Sequence, residues 1–330
     1  MSPESTKRAF AMALVGLATV FVGTISVAQQ LTVDPKIATY TKIEGVSGNL
    51  NSIGSDTLNN LMTLWGEEFH KLYPNVVIGI EGKGSSTAPP ALIGGTAQLG
   101  PMSRKMKAEE IDEVEKKYGY PPLAIGVALD SLAVYVHKDN PIKSLTMPQV
   151  DALFSKTRNG KFPKDIHTWG ELGLESPWKE LPISLYGRNS ASGTYAYFKE
   201  HALYKGDFKD TVKESPGSAS VVMSITSDKA GIGYSGIGYR TSGVRAVPLA
   251  EKEGATPFDA TYENVISTKY PLGRMLYIYV IKNPSEPLPP VVAEFLRFVL
   301  SKTGQEIVIK DGYLPLPATA LEKQIALFAK

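Results

Sequence analysis

The stretch LAIGVALDSLAVYVH, Leu123–His137, restricts the fold more than any other part of the chain. It is almost continuously apolar, and a strand of that kind has to be covered on both faces. Its neighbours in sequence alternate between helical and strand patterns. In TLNNLMTLWGEEFHKLY, residues Leu58, Leu61, Met62, Trp65, Phe69 and Leu72 fall on one helical face. NVVIGIEG reads as a buried strand, STAPPALIGG as a short helix with Pro near its start and Gly at its end, and AQLGPM as a strand. KAEEIDEVEKKYG predicts an exposed, charged helix closed by glycine. The alternation continues through helix MPQVDALFS, strand ISLYG, helices SGTYAYFKEHAL and SASVVMSITSD, and strands AGIGYSG, VRAVPLA and GRMLYIYVIK. PPVVAEFLRFVLSKTGQEIVIK predicts one helical run, and ALEKQIALFAK a terminal amphipathic helix. This order indicates α/β layers over mostly parallel sheets. The 330 residues suffice for about two domains. Two segments are placed to link them, one near residues 123–132 and one near 262–275, where TKYPLGR interrupts the pattern. If both cross, the chain enters a second lobe and returns to the first.

Lys7 and Arg8 precede AFAMALVGLATVFVGTISVA, which ends in the small-x-small pattern Ser26-Val27-Ala28. That is the form of a secretory signal over residues 1–28, with an uncleaved membrane anchor as the competing reading. The chain has no cysteine. Disulfides, thiolate metal sites, cysteine nucleophiles and a lipid-bearing cysteine after the signal are therefore excluded. A soluble periplasmic protein held by its core alone is expected. The formal net charge is +2 with acids and bases interleaved, so no nucleic-acid partner is expected. His70, His137, His167 and His201 show no metal-ligand spacing. No metal and no cofactor are expected, and no G-x-S-x-G elbow marks a hydrolase.

Three short stretches share one design. Gly54-Ser55-Asp56-Thr57 precedes the first helix, Gly84-Ser85-Ser86-Thr87 the second, and Arg188-Asn189-Ser190-Ala191-Ser192-Gly193-Thr194 a later one. A helix start leaves backbone N–H groups unpaired and carries partial positive charge, which suits an anion. Glycine lets the anion approach the backbone, hydroxyls add donors, and an arginine offers a planar fork. Ordinary helix capping by Ser192 is the competing reading for any one of the three. In an open α/β sheet such loops gather at the carboxyl edge of the strands, where ligands bind.

The segments IGSDTLNNL, GKGSSTAPPALIGGTAQLGPMSR, DSLAVYVHKDNPIKSLT, GRNSASGTYAYF and AGIGYSGIGY resemble the periplasmic phosphate-binding proteins of ABC transporters. The resemblance runs from about Gly54 to KDGYLPLP, and Arg-x-x-x-Ser-Gly-Thr is its most specific piece. It implies a two-lobed type II periplasmic-binding-protein clamshell, with mostly parallel sheets flanked by helices and two crossing hinge strands. Lobe 1 would take residues 29–128 and 266–330, and lobe 2 residues 129–265. It further implies a monomer that encloses inorganic phosphate and passes it to a membrane permease, with no catalytic residue. By position, Thr57 and the backbone of Leu58, then Ser85, then Arg188, Ser192, Gly193 and Thr194 would hold the ligand. The family carries a Ser-Asp pair after the third strand, whose Asp accepts the phosphate proton. Here the pair is Ser103-Arg104, both expected at the ligand; an arginine cannot accept a proton, and unless another acceptor stands in, Arg104 makes the pocket a stronger and less choosy oxyanion trap. Asp56 is placed to take that role, with a plain helix cap as the alternative. Sulfate or molybdate as ligand, or an exported phosphatase with Ser192 as nucleophile, are the competing functions.

Overall fold

The computed structural model describes residues 31–329, and the signal read over residues 1–28 lies outside the described residues. β1 (Gly48–Ile53) and β2 (Val76–Glu81) pair in parallel through the crossover helix α1 (Asn59–Leu72). α2 (Ala88–Gly94), β3 (Gly100–Met102) and α3 (Ala108–Tyr118) follow. β4 (Leu123–His137) has the full length its apolar run predicts. Next come β5 (Leu145–Thr146), α4 (Met147–Phe154), β6 (Ser184–Arg188) and α5 (Gly193–His201). They are followed by β7 (Lys213–Ser215), α6 (Ser218–Ser227) and β8 (Gly231–Gly236). β9 (Val244–Ala246), β10 (Leu249–Ala250), α7 (Tyr262–Ile266) and β11 (Gly273–Val280) lead to the final helices. These are α8 (Pro290–Val299), α9 (Lys302–Lys310) and α10 (Ala318–Ala326). No helix among the described residues is long and apolar enough to cross a membrane.

Local chemistry sets several boundaries. α4 opens on a capping box, with the Thr146 hydroxyl accepting from Gln149 N–H and the Gln149 side chain accepting from Thr146 N–H. α3 closes at Gly119, whose φ of 82° favours glycine. The single helical run expected over 289–310 divides at Ser301. Its hydroxyl donates to the Phe298 carbonyl at 2.6 Å and accepts from Gly304 N–H, which ends one helix and caps the next. The strand expected as VRAVPLA divides into β9 and β10, because Pro248 offers no N–H to a ladder. β2 is buried on one face only, contrary to its sequence reading. Ile78 and Ile80 pack towards α1, whereas Val77 is 66% exposed.

β4 is shared by two hydrophobic cores. Its first half gives Ile125, Val127 and Ala128 to a core with Trp65, Phe69, Leu276, Ile278, Phe295 and Phe298. Its second half gives Leu132, Val134 and Val136 to a core with Phe154, Trp169, Phe198, Ile232, Tyr234 and Leu272. Each fully buried side chain of this size stabilises the fold by ~1.5–3 kcal/mol. Asp130 and Ser131 lie at the passage from one core to the other. β11 makes the reverse passage beside it, with Arg274 in register with Asp130.

The seven-stranded sheet is ordered β3-β11-β4-β8-β6-β7, with β9 also on β4. It is mixed, which corrects the expectation of mostly parallel pairing. β11 runs antiparallel to β3 and β4, and β4 antiparallel to β8 and β9. A chain that passes between two cores and comes back must run in opposite directions on its two crossing strands. Parallel pairs lie away from the crossing, at β1/β2, β5/β10 and β6 with β7 and β8.

The end of α9 docks on the start of α1 through Asp311, which accepts a hydrogen bond from the Asn60 amide. Asp311 Oδ2 is buried without a partner among the described residues. Desolvation pushes this carboxyl from 3.8 up to about 6, against the lowering effect of Asn60. The folded chain thus holds the proton more tightly than the unfolded chain. The associated stability is fully present below about pH 4 and is lost as pH rises through about 6. Asp311→Asn is expected to raise the urea midpoint at pH 7.5, with the difference from the parent closing as pH is lowered to 4.

Candidate functional site

The three helix openings meet in the interior. Thr57 Oγ1 and Thr194 Oγ1 are 2.8 Å apart, joining the first opening to the third. Ser86 N–H donates to the Ala191 carbonyl at 3.2 Å, joining the second to the third. Ser103 ties the first and second together, since Ser55 Oγ donates to its hydroxyl at 3.1 Å and its own N–H donates to Ser85 Oγ at 3.1 Å. The closeness explains two glycines. A Cβ on Gly193 would lie 2.2 Å from Ser85 Oγ, and one on Gly84, at φ +118°, would lie 2.5 Å from the Ala191 carbonyl oxygen. Thr57, Ser85, Ser103, Arg188, Ser192 and Thr194 are all buried.

Capping, the competing reading, describes only the third opening. Ser192 accepts from Thr194 N–H at 3.1 Å and Tyr195 N–H at 3.4 Å. The first two openings have no side-chain cap bond. Asp56 therefore does not cap its helix. Its Oδ2 accepts from Ser218 N–H at 2.8 Å and Ser218 Oγ at 2.9 Å, and lies 3.2 Å from Arg188 Nη1. These contacts leave Oδ1 without a protein donor among the described residues. The Leu58 side chain enters the first core, and its N–H donates to the Ser55 carbonyl at 3.2 Å.

Arg188 is delivered by the end of β6 and is 1% exposed. Nη1 donates to Ser218 Oγ at 2.5 Å and Nη2 to the Pro216 carbonyl at 2.8 Å. Its Nε is buried with no hydrogen-bond partner among the described residues. Desolvation lowers the guanidinium pKa, and Asp56 acts in the opposite direction. A buried donor on a charged group is costly to leave unpaired, so this atom marks where an acceptor belongs.

Arg104 reaches the second opening but closes its fork on Glu110, and its Nε, like that of Arg188, is buried with no hydrogen-bond partner among the described residues. Nη1 and Nη2 each donate to a Glu110 oxygen at 2.7 Å, and Nη2 also donates to Ser86 Oγ at 3.2 Å. Burial raises the Glu110 carboxyl, but the bonds from Arg104 and from Lys107 N–H outweigh it and hold the carboxyl below its usual range. With its fork closed on Glu110, Arg104 lines an outer groove of ≈950 Å³ with Lys105, Tyr197 and Arg274.

A second buried arginine was not read from the sequence. Arg274 Nε and Nη2 both donate to Asp130 Oδ2, at 2.9 and 2.7 Å. Nη1 donates to the Ser103 carbonyl at 2.9 Å, and Nη2 also donates to Thr194 Oγ1 at 3.0 Å. Asp130 Oδ1 accepts from Ile237 N–H at 2.9 Å. Ser218, Tyr239 and Tyr313 were also missed. Tyr239 and Tyr313 donate to the carbonyls of Asp56 and Thr57 at 2.8 and 2.7 Å, fixing the first opening. One signal was available: Asp130 and Arg274 are charged residues within the two otherwise apolar crossing strands.

A model of the PBP superfamily domain matches residues 41–303. The chain belongs to this family. It is 60% identical over 293 residues to the phosphate-binding protein PstS of Pseudomonas aeruginosa, covering 89% of this chain and 91% of that one. Among solved structures it is similar to a candidate phosphate ABC transporter substrate-binding protein of Clostridium perfringens with bound phosphate. The TM-score there is 0.68 at 26% identity, covering 82% of this chain and 100% of the other. An ABC-type phosphate transport receptor of Vibrio cholerae shares the fold, with a TM-score of 0.61 at 21% identity over 81% of this chain and 100% of the other. The two-lobed α/β architecture with paired crossing strands is thus that of the PBP superfamily. Among the described residues no cluster of His, Asp and Glu could hold a metal ion.

Asp130 and Arg274 are 0% and 5% exposed, and removing one partner strands the other charge. Asp130→Ala is expected to lower the unfolding free energy by ~3–5 kcal/mol in urea titration, whereas the double change Asp130→Leu with Arg274→Met recovers most of that loss.

Proposed function

We propose that this chain is an exported receptor that encloses one inorganic phosphate between two lobes and delivers it to the permease of an ABC importer. The proposed lobes are residues 29–128 with 266–330, and residues 129–265. Arg188 is the observation that carries the reading. It is a fully buried cation, beside Asp56 of the first opening and bonded to Ser218, with one donor unpartnered among the described residues. Sequence identity of 60% to a PstS protein supports the same reading.

The energetics favour donors over counter-charges. Enclosing an isolated anion costs on the order of tens of kcal/mol. Arg188 and Arg274 are each matched by an aspartate, so the surrounding shell has little net charge with which to offset that cost. Hydrogen bonds to a charged acceptor contribute roughly 1.5–3 kcal/mol each, so several aligned donors are needed. Thr57, Ser85, Ser103, Ser192, Gly193, Thr194 and Arg188 are the proposed contributors, through hydroxyl and backbone donors.

Selectivity follows from Asp56. Its Oδ2 accepts from Ser218 N–H and Oγ and faces Arg188 Nη1, and Oδ1 is left to accept a hydrogen bond from the proton of hydrogen phosphate. Sulfate has no such proton at neutral pH and would set bare oxygen against the carboxylate. Arg104 is placed outside the proposed shell as a support of the second opening, with its fork on Glu110 and a bond to Ser86. The Ser192 hydroxyl accepts two backbone N–H groups, which favours a structural role over a nucleophilic one.

Titration calorimetry of protein stripped of ligand tests the reading with phosphate, arsenate and sulfate. Phosphate should bind with one-to-one stoichiometry and far more tightly than sulfate, and equal affinities for the two would overturn the reading. Arg188→Gln should weaken phosphate by about 100-fold or more, since it loses both charge and fork. Asp56→Asn should weaken phosphate and narrow its advantage over sulfate. An unchanged ratio would remove Asp56 from the selectivity mechanism.

A further inference from the structure

We propose that Arg274 is a positioning residue that donates to Thr194 Oγ1, placing and polarising the linked Thr194 and Thr57 hydroxyls so that the proton left over from their mutual bond is offered to the bound anion. The inference rests on the phosphate-receptor reading and assigns a mechanism to a residue that the sequence did not single out.

A hydroxyl is ambiguous, because it can donate or accept. A guanidinium is not, because it carries only donors. Arg274 Nη2 lies 3.0 Å from Thr194 Oγ1, so the Thr194 oxygen is the acceptor in that contact. The Thr194 proton must then point elsewhere. Its available partners are Thr57 Oγ1 at 2.8 Å and the enclosed anion. If Thr194 donates to Thr57, the Thr57 proton is the one released towards the anion. If Thr194 donates to the anion directly, Thr57 donates to Thr194. In both arrangements the chain ends in a donor facing the ligand.

Arg274 is fixed in place for this contact from several sides. Asp130 Oδ2 accepts from two of its nitrogens, and the Ser103 carbonyl accepts from a third. Tyr197 lies against the other side, with its ring centroid 5.3 Å from the guanidinium carbon. The residue also spans the molecule. It sits on β11, touches Ser103 after β3 and Asp130 on β4, and reaches Thr194 on α5. The same polarising arrangement occurs at Arg188, which donates to Ser218 Oγ while that hydroxyl donates to Asp56. The site thus has two arginines, each donating to a neighbouring hydroxyl oxygen whose own proton is left for another acceptor. One hydroxyl is aimed at a carboxylate and the other towards the ligand.

The test is a double-mutant cycle on phosphate affinity, measured by calorimetry after a wild-type control has shown phosphate binding. Arg274→Met is made together with Asp130→Leu so that no charge is left stranded. The pair is placed in three backgrounds: the parent, Thr194→Ser and Thr194→Val. In the first two, which keep a hydroxyl at this position, the Arg274 change is expected to weaken phosphate about 10–100-fold, the range of one charge-assisted hydrogen bond. In the Thr194→Val background it should cost less than about 3-fold, because no hydroxyl remains to be oriented. Equal losses in all three backgrounds would show that Arg274 acts only through the fold and would overturn the proposal, as would no loss in the first two. Arg274→Lys, which keeps a donor-only cation, should retain more affinity than the methionine variant. A wild-type protein that fails to bind phosphate would instead sink the receptor reading itself.

Discussion

A cation kept out of water has to be answered by groups that are also out of water, and Arg188 sets that condition for everything near it. Its 1% exposure excludes bulk solvent as a partner. Asp56 and Ser218 therefore come from distant parts of the chain to meet it, and the Pro216 carbonyl closes the other side. Those contacts draw the opening of α1 and the opening of α6 together. Tyr239 and Tyr313 then hold the carbonyls of Asp56 and Thr57. The cluster is a cage of donors whose charges are internally balanced, which suits a guest that brings its own charge.

The path of β4 explains how two hydrophobic cores can flank one candidate site. A single strand supplies apolar side chains to the first core, then a polar pair, then apolar side chains to the second core. Asp130 falls at the passage and is paired across the sheet with Arg274 on β11. Ion pairs of this kind contribute little net stability against a hydrophobic replacement, because desolvation offsets their attraction. Their geometry is specific, however. Placing the pair on the crossing strands fixes the register of those strands and sets the guanidinium beside α5, so that fold and site share one interaction.

Much of the architecture was legible in one dimension. The apolar run of β4, the helical stripe of α1 and the glycine stop of α3 are local, and each depends on neighbours a few residues away. The three Gly/Ser/Thr openings were legible for the same reason, and their convergence on one place followed from the α/β pattern. Arg104 was misplaced because its position suggested a ligand contact while its partner, Glu110, lies on the helix that follows. Two charges six residues apart can meet or miss, and only the turn between them decides. The exposed face of β2 was missed because it depends on what packs against the segment, whereas the break at Ser301 is a local cap that the apolar pattern masked.

The sequence by itself determined which residue types could hold an oxyanion, and it set the helix starts that carry them, because capping, periodicity and glycine freedom act over a few residues. Tertiary structure alone decided that Asp56 faces Arg188 and not its own helix, that Arg104 is neutralised by Glu110, and that Arg274 reaches Thr194. Those pairings join residues 132 and 80 positions apart or depend on the rotamer of a long side chain. Their energies arise only when the chain has folded far enough to exclude water from both partners.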